Sequence, residues 1–235
     1  FLVTIPLPYS GEAGGWIYNV NVYPKNQLMQ APTKEVGKPL GLTMGYSVPW
    51  TITSTIPKLN DNAKCESASV EDPLDPRLTY WGAVNITAGD TKLTEGEDFT
   101  ESGNVKYEFT ASGLAKLNDN QGEELKVVIY AGVESLDSGD LQSGIIPNKA
   151  SVKYNDATLP TGEVTSNWGG LQIIKTDSKN GAKLKGAYFD IYELGTYDSC
   201  EKAVENLDGW ATGGGTNDEG IIQVNGLWVG NNATD

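Results

Sequence analysis

Apolar and polar residues alternate one for one along much of this chain, in short runs that end at Gly, Pro, Asn or Asp. Such a period-2 pattern marks half-buried β-strands. In "WIYNVNVYPKN" the alternation holds over residues 16–23, and Pro24 then stops the ladder and leaves Lys25 just beyond it. The preceding "FLVTIPLP" reads as a partner strand and "YSGEAGG" as the turn between them, which predicts a hairpin. Over residues 34–154 the same period recurs in "YSVPWTITSTI", "LTYWGAVNI", "VKYEFTA", "LKVVIYAGV" and "KASVKYN", separated by turn residues, as expected of a β-sandwich. Only "ASGLAKLND" carries a helical period.

Beyond this region "TLPTGEVTSNWGG" has no clear period and is rich in Gly, Thr and Pro, so a linker is expected near residues 162–170. The next segment, "LQIIKTDSKNGAKLKGAYFDIYEL", reads as two strands around a "DSKNG" turn, and residues 197–220 as a polar insertion. The chain thus divides into a hairpin at 1–26, a middle β-sandwich at 27–162 and the start of a further β-domain at 163–235. The strands of that last part are too few to close a sandwich, so it is expected to be incomplete. The fold class is all-β, with tandem sandwiches.

Composition narrows what such a scaffold does. A net charge of −14 argues against nucleic acid, because phosphate binding requires a basic surface. Histidine is absent, which removes Ser-His and Cys-His triads and most zinc sites. No apolar run is long enough to span a membrane, and the start lacks the pattern of a signal peptide, so a mature fragment without its targeting ends is expected. Cys65 and Cys200 fall in different parts of the chain, and a bond between them is not expected. The acidic clusters "TEGEDFTES" and "NDNQGEE" offer oxygens of the kind calcium takes but lack EF-hand spacing, and read better as solvated loops. Trp16, Trp50, Trp81 and Trp168 sit in strand or boundary contexts where core packing is the default.

Eleven consecutive residues, "WIYNVNVYPKN", resemble the pilin motif of sortase-assembled backbone pilins of Gram-positive bacteria, of the corynebacterial and actinomycete type. "PTKEV", "VEDPLDPRLTY" and "IIPNKASVKYN" are similar to the first, acidic and final strands of their middle domain, and "LQIIKTDSKNGAKLKGAYFDIYEL" to the start of their C-terminal collagen-adhesin B-type domain. The resemblance implies immunoglobulin-like sandwiches and a structural subunit of a cell-wall-anchored pilus, with no cofactor. It implies that Lys25 is the nucleophile by which a sortase joins identical subunits head to tail, an open assembly that grows as a fibre. Tip and base pilins are further candidate partners. The chain departs from the family in lacking both an E-box glutamate with its Ala-Pro-x-Gly-Tyr and a Leu-Pro-x-Thr-Gly signal. "LPTGE" at residues 159–163 lacks the variable residue and reads as linker.

The resemblance also implies an intramolecular isopeptide between Lys34 and Asn148, with Asp72 as acid and base. The chemistry requires burial, which disfavours both the ammonium and the carboxylate and so leaves a neutral amine beside a carboxylic acid. Lys38 and Asp75 are the nearest alternatives, and a partly buried Lys34–Asp72 salt bridge with Asn148 capping a turn is the competing description. Lys175 resembles the lysine of a second isopeptide whose asparagine lies near the end of the last domain. Asn225, Asn231 and Asn232 stand in the wrong context for that role. Cys200 resembles one half of a disulfide whose other half is missing. Two other classes stand against the shaft subunit: an adhesin module binding host glycan or matrix protein, and a glycosidase with paired carboxylates.

Overall fold

The computed structural model describes residues 7–8, 16–17, 29–59, 63–103, 105–136, 144–193, 199, 201–202 and 209–231. In chain order, β1 (Leu7–Pro8) pairs antiparallel with β2 (Trp16–Ile17), in keeping with the expected hairpin. Lys25 lies outside the described residues. Next come β3 (Thr33–Val36), β4 (Ser47–Thr55), β5 (Ala68–Glu71), β6 (Leu78–Ala88), β7 (Thr91–Lys92), β8 (Phe99–Ser102) and β9 (Lys106–Phe109). The helix α1 (Ala111–Asp119) covers "ASGLAKLND" and leads into β10 (Glu124–Val133). β11 (Ile145–Asn148), β12 (Ser151–Tyr154) and β13 (Ala157–Pro160) precede β14 (Val164–Ile174), β15 (Tyr188–Tyr192), β16 (Trp210–Gly215) and β17 (Ile221–Asn231).

Two five-stranded sheets, β3-β4-β10-β6-β7 and β13-β12-β5-β9-β8, form the sandwich. Strict alternation aims Trp50 and Ile52 of β4, Val127 and Ile129 of β10, Val70 of β5 and Tyr107 of β9 into one core. α1 starts at Thr110, whose hydroxyl accepts the Gly113 amide at 3.3 Å. Glycine is required at 113, because a Cβ there would lie 1.9 Å from the Asp98 carbonyl oxygen. Trp81 departs from expectation: it is half exposed and lies against Gly132, where a Cβ would come within 2.4 Å of its ring. A register shift of β6 against β10 turns it outward.

A third sheet, β11-β14-β17, and the pair β15-β16 build the rest. The expected linker is instead mostly strand. β14 begins in the first core, where Val164 and Trp168 are buried, and runs on through Ile174. Shifts at Asn167/Trp168 and Gly169/Gly170 throw its apolar residues out of phase, which is why no period is legible there. β16, within the expected polar insertion, was obscured by its run of three glycines. The segment after β3 is laced to β17: Met44 donates to the Gly226 carbonyl at 2.9 Å, Trp228 to that of Leu42 at 2.8 Å, and the Asn231 amide to those of Val36 and Gly37 at 3.0 Å.

Candidate functional site

Lys34 is an inward-facing residue of an amphipathic strand. In β3 exposed and buried positions alternate, so Lys34 points inward with Val36 while Thr33 and Glu35 face water. Asp72 follows β5 and keeps the inward phase of Val70, its backbone amide donating to the Val105 carbonyl at 3.0 Å. Val105 itself has φ 57°, an unusual conformation for a β-branched residue. Asn148 ends β11, opposite Val164 of β14, and is buried like Ile146 two residues before it. β3 and β11 are not ladder partners: β3 pairs with β4 and β11 with β14. The residues approach one another through Asp72, which comes from the other sheet.

Lys34 donates from Nζ to Asp72 Oδ2, and both side chains are 0% exposed. The Trp50 ring covers the amine, with its centroid 5.9 Å from Nζ. Burial pulls the Lys34 pKa down more than Asp72 raises it. Burial likewise pushes the Asp72 pKa up, against the opposing effects of Lys34 and of the nearby Asn148 amide. Both shifts favour uncharged partners. Asn148 is near enough to Asp72 to affect its ionisation, yet neither Oδ1 nor Nδ2 has a partner in hydrogen-bond geometry, and Asp72 Oδ1 has none either. An unsatisfied buried polar group costs about 1 to 3 kcal/mol, and three such atoms in one pocket require an explanation. The pocket holds an amine, an acid and a primary amide, which is a set able to form a new amide.

The alternatives fall outside this pocket. Lys38 is exposed and pairs with Glu193, its Nζ 5.6 Å from the Trp228 centroid. Asp75 is engaged by Arg77, whose hydrogen bonds hold its carboxyl below the usual range. Lys175 is exposed at the end of β14, where its backbone amide donates to the Gly220 carbonyl at 2.8 Å. Asn225 accepts from Gln223 at 2.9 Å and Asn231 is committed to Val36 and Gly37. Asn232 and Cys200 lie outside the described residues. Cys65 is a buried free thiol whose pKa is raised by burial. Among the described residues no group of three or more His, Cys, Asp or Glu could hold a metal ion. "TEGEDFTES" is not uniformly solvated, since Asp98 within it is fully buried. Trp50, buried as its strand context predicts, also covers the Lys34 amine, a role its sequence does not announce, and Arg77 is a further neighbour of the site that the sequence does not single out.

No family model matches the chain. Over its full length it is 33% identical, across 263 aligned positions, to fimbrial subunit type 2 of Actinomyces naeslundii, covering 49% of that protein. It is 27% identical to fimbrial subunit type 1 of Actinomyces viscosus, over 97% of this chain and 51% of the relative. The chain therefore spans about half the length of the curated relatives it matches. Among solved structures, the full-length major pilin SpaD from Corynebacterium diphtheriae superposes with a TM-score of 0.69 at 27% identity, over 97% of this chain and 56% of that one.

Proposed function

We propose, from its similarity over its full length to Actinomyces fimbrial subunits and to a corynebacterial major pilin, that the chain is the part of a pilus-shaft subunit that carries both the polymerising lysine and a self-made cross-link. The observation that carries the cross-link is the buried Lys34–Asp72 contact beside an Asn148 amide without a partner. The neutral Lys34 amine attacks Asn148 Cγ while protonated Asp72 polarises the carbonyl. A bond forms between Nζ and Cγ, the bond from Cγ to Nδ2 breaks, and ammonia leaves. Asp72 takes a proton from the attacking nitrogen and returns one to the departing nitrogen, so it ends as it began. The fold supplies the rate by holding amine and amide together. This is a single self-modification per molecule, with no external substrate.

Lys25 is the proposed acceptor for a sortase, on the strength of "VYPKN". Its amine attacks the thioester between the sortase cysteine and another subunit's threonine; an amide forms and the thiol is released. Pro24 fixes φ in the residue immediately before Lys25, which restricts the backbone next to the acceptor. The resulting shaft is anchored to the cell wall. Residues 1–26 then act as the attachment hairpin, 27–162 together with the first half of β14 as the cross-linked sandwich, and the remaining residues as part of a further β-domain.

Intact mass spectrometry tests the cross-link. The purified chain should weigh one ammonia less than its sequence, with a branched peptide joining Lys34 and Asn148, and Asp72→Ala should return the full mass; a wild type at full mass would overturn the reading. Lys25→Arg keeps the charge but removes the nucleophile, so cells carrying it should yield monomers only. SDS-resistant ladders from that variant would exclude Lys25.

A further inference from the structure

Asp72 and Asn148 share no ladder among the described residues, but the β5–β12 ladder pairs Glu71, the residue before Asp72, with Ser151, three residues after Asn148. β11, which carries Asn148, is itself laddered to β14. A second device ties the other end of β11 to the loop that follows Asp72. The loop from Asp72 to β6 contains Asp75 and Arg77, whose side chains are 8% and 2% exposed. Arg77 grips Asp75 with a fork: Nε donates to Oδ1 and Nη2 to Oδ2, each at 2.8 Å, while the Arg77 backbone amide donates to Oδ1 at 3.0 Å. The same Nη2 donates to the Ile145 carbonyl at 3.0 Å. Ile145 is the first residue of β11 and Asn148 the last.

We propose that the Asp75–Arg77 pair is a positioning strut for amide formation, fixing the strand that bears Asn148 against the loop that bears Asp72. The inference rests on the cross-linking reading above. A bidentate guanidinium on a carboxylate is a stiff, planar unit, and its remaining donor capacity reaches a backbone carbonyl, which does not change when side chains change. Asp75 locks the guanidinium plane; the guanidinium locates Ile145; β11 carries that location three residues on to Asn148. The strut touches none of the reacting atoms. Its effect is on how often the amide carbon sits within reach of the amine and the acid.

The test follows the loss of ammonia with time in freshly synthesised protein, kept cold and quenched at intervals for intact mass. Arg77→Met should slow the loss by about 10- to 100-fold, the scale expected from small misplacement of reacting groups. Asp75→Asn, which unlocks the fork but leaves the Arg77 donor, should slow it less. The pH dependence of the rate should keep its shape in both, because Lys34 and Asp72 remain the titrating pair. Near-UV circular dichroism of each variant in an Asn148→Ala background checks that the sandwich is folded at the assay temperature. If Arg77→Met does not fold, Arg77→Lys decides: it keeps a positive charge for Asp75 but cannot span both partners, and must still be slower than wild type. Folded variants that cross-link at the wild-type rate overturn the strut while leaving the cross-link intact. A wild type that never loses ammonia overturns the cross-link, and the strut with it.

Discussion

Lys34 meets Asp72 and Lys116 meets Asp98 inside the same sandwich, and the two carboxyls are equally hidden, yet their protonation is driven in opposite directions. Asp98 has every need met: Oδ2 accepts from the Thr94 amide at 2.8 Å and from Lys116 at 2.6 Å, and Oδ1 accepts from Ser112 at 2.7 Å. Burial pushes its pKa up, but these donors together outweigh burial and hold it below the usual range. Lys116 keeps 32% of its side chain in water. In the other pocket the lysine is dry, one carboxylate oxygen has no donor, and burial prevails on both partners. Proximity of opposite charges therefore does not decide whether burial leaves a pair charged or favours its neutral forms. The supply of further donors, and the access of water to the ammonium, do.

The comparison breaks most visibly at Asp72. Asp72→Ala should abolish the cross-link and with it a restriction of the unfolded chain worth about 4 to 5 kcal/mol, by analogy with a disulfide closing about 100 residues. Thermal and protease resistance should fall together with the return of full mass. Asp98→Ala should cost roughly 2 to 4 kcal/mol through lost charge-assisted hydrogen bonds, with no change in the mass lost as ammonia. Urea unfolding of the two variants in parallel separates a covalent from a non-covalent loss.

A finer cut uses pH. The Thr94, Ser112 and Lys116 donors hold the folded pKa of Asp98 below its ordinary value, so its contribution is complete above that ordinary value and is lost as pH falls through the folded pKa. The stability gap between wild type and Asp98→Asn should be widest near neutrality and narrow in acid; a gap that grows in acid would reverse the assignment. The smallest effect is expected at the exposed pair. Lys38, 53% exposed, loses only a screened partner and its place over the Trp228 ring on Lys38→Ala, so unfolding should shift by no more than about 1 kcal/mol.

What was legible in the sequence follows from how local each signal is. β4, β6 and β10 are long alternating strands buried on one face, and their period announces them, as the helical period does for α1. β11 is four residues with a proline inside it, and "IIPNKASVKYN" splits into strands of two different sheets, which no local pattern can reveal. The meeting of Lys34, Asp72 and Asn148 was legible only as resemblance, because strands distant in sequence bring them together. Asp98 was hidden by its neighbours: Glu95 and Glu97 are exposed, and one buried carboxylate among them becomes visible only when α1 delivers Ser112 and Lys116 to it. Arg77 was legible as a charge in a turn but not as a bridge, since Ile145 lies far along the chain.

β14 has one more consequence. A chain cut at residue 162, where composition suggests a seam, would strip Val164 and Trp168 from the core they help fill and leave β11 without its partner. Domain shuffling normally works by exchanging beads between flexible strings, and here the string is itself part of the bead. Recombination at this joint, whether by evolution or at the bench, must carry the first half of β14 with the sandwich and restore a match to the Met44–Gly226, Leu42–Trp228 and Asn231 contacts on the far side. The unit of inheritance at this point is a strand and its lacing, larger than either domain taken alone.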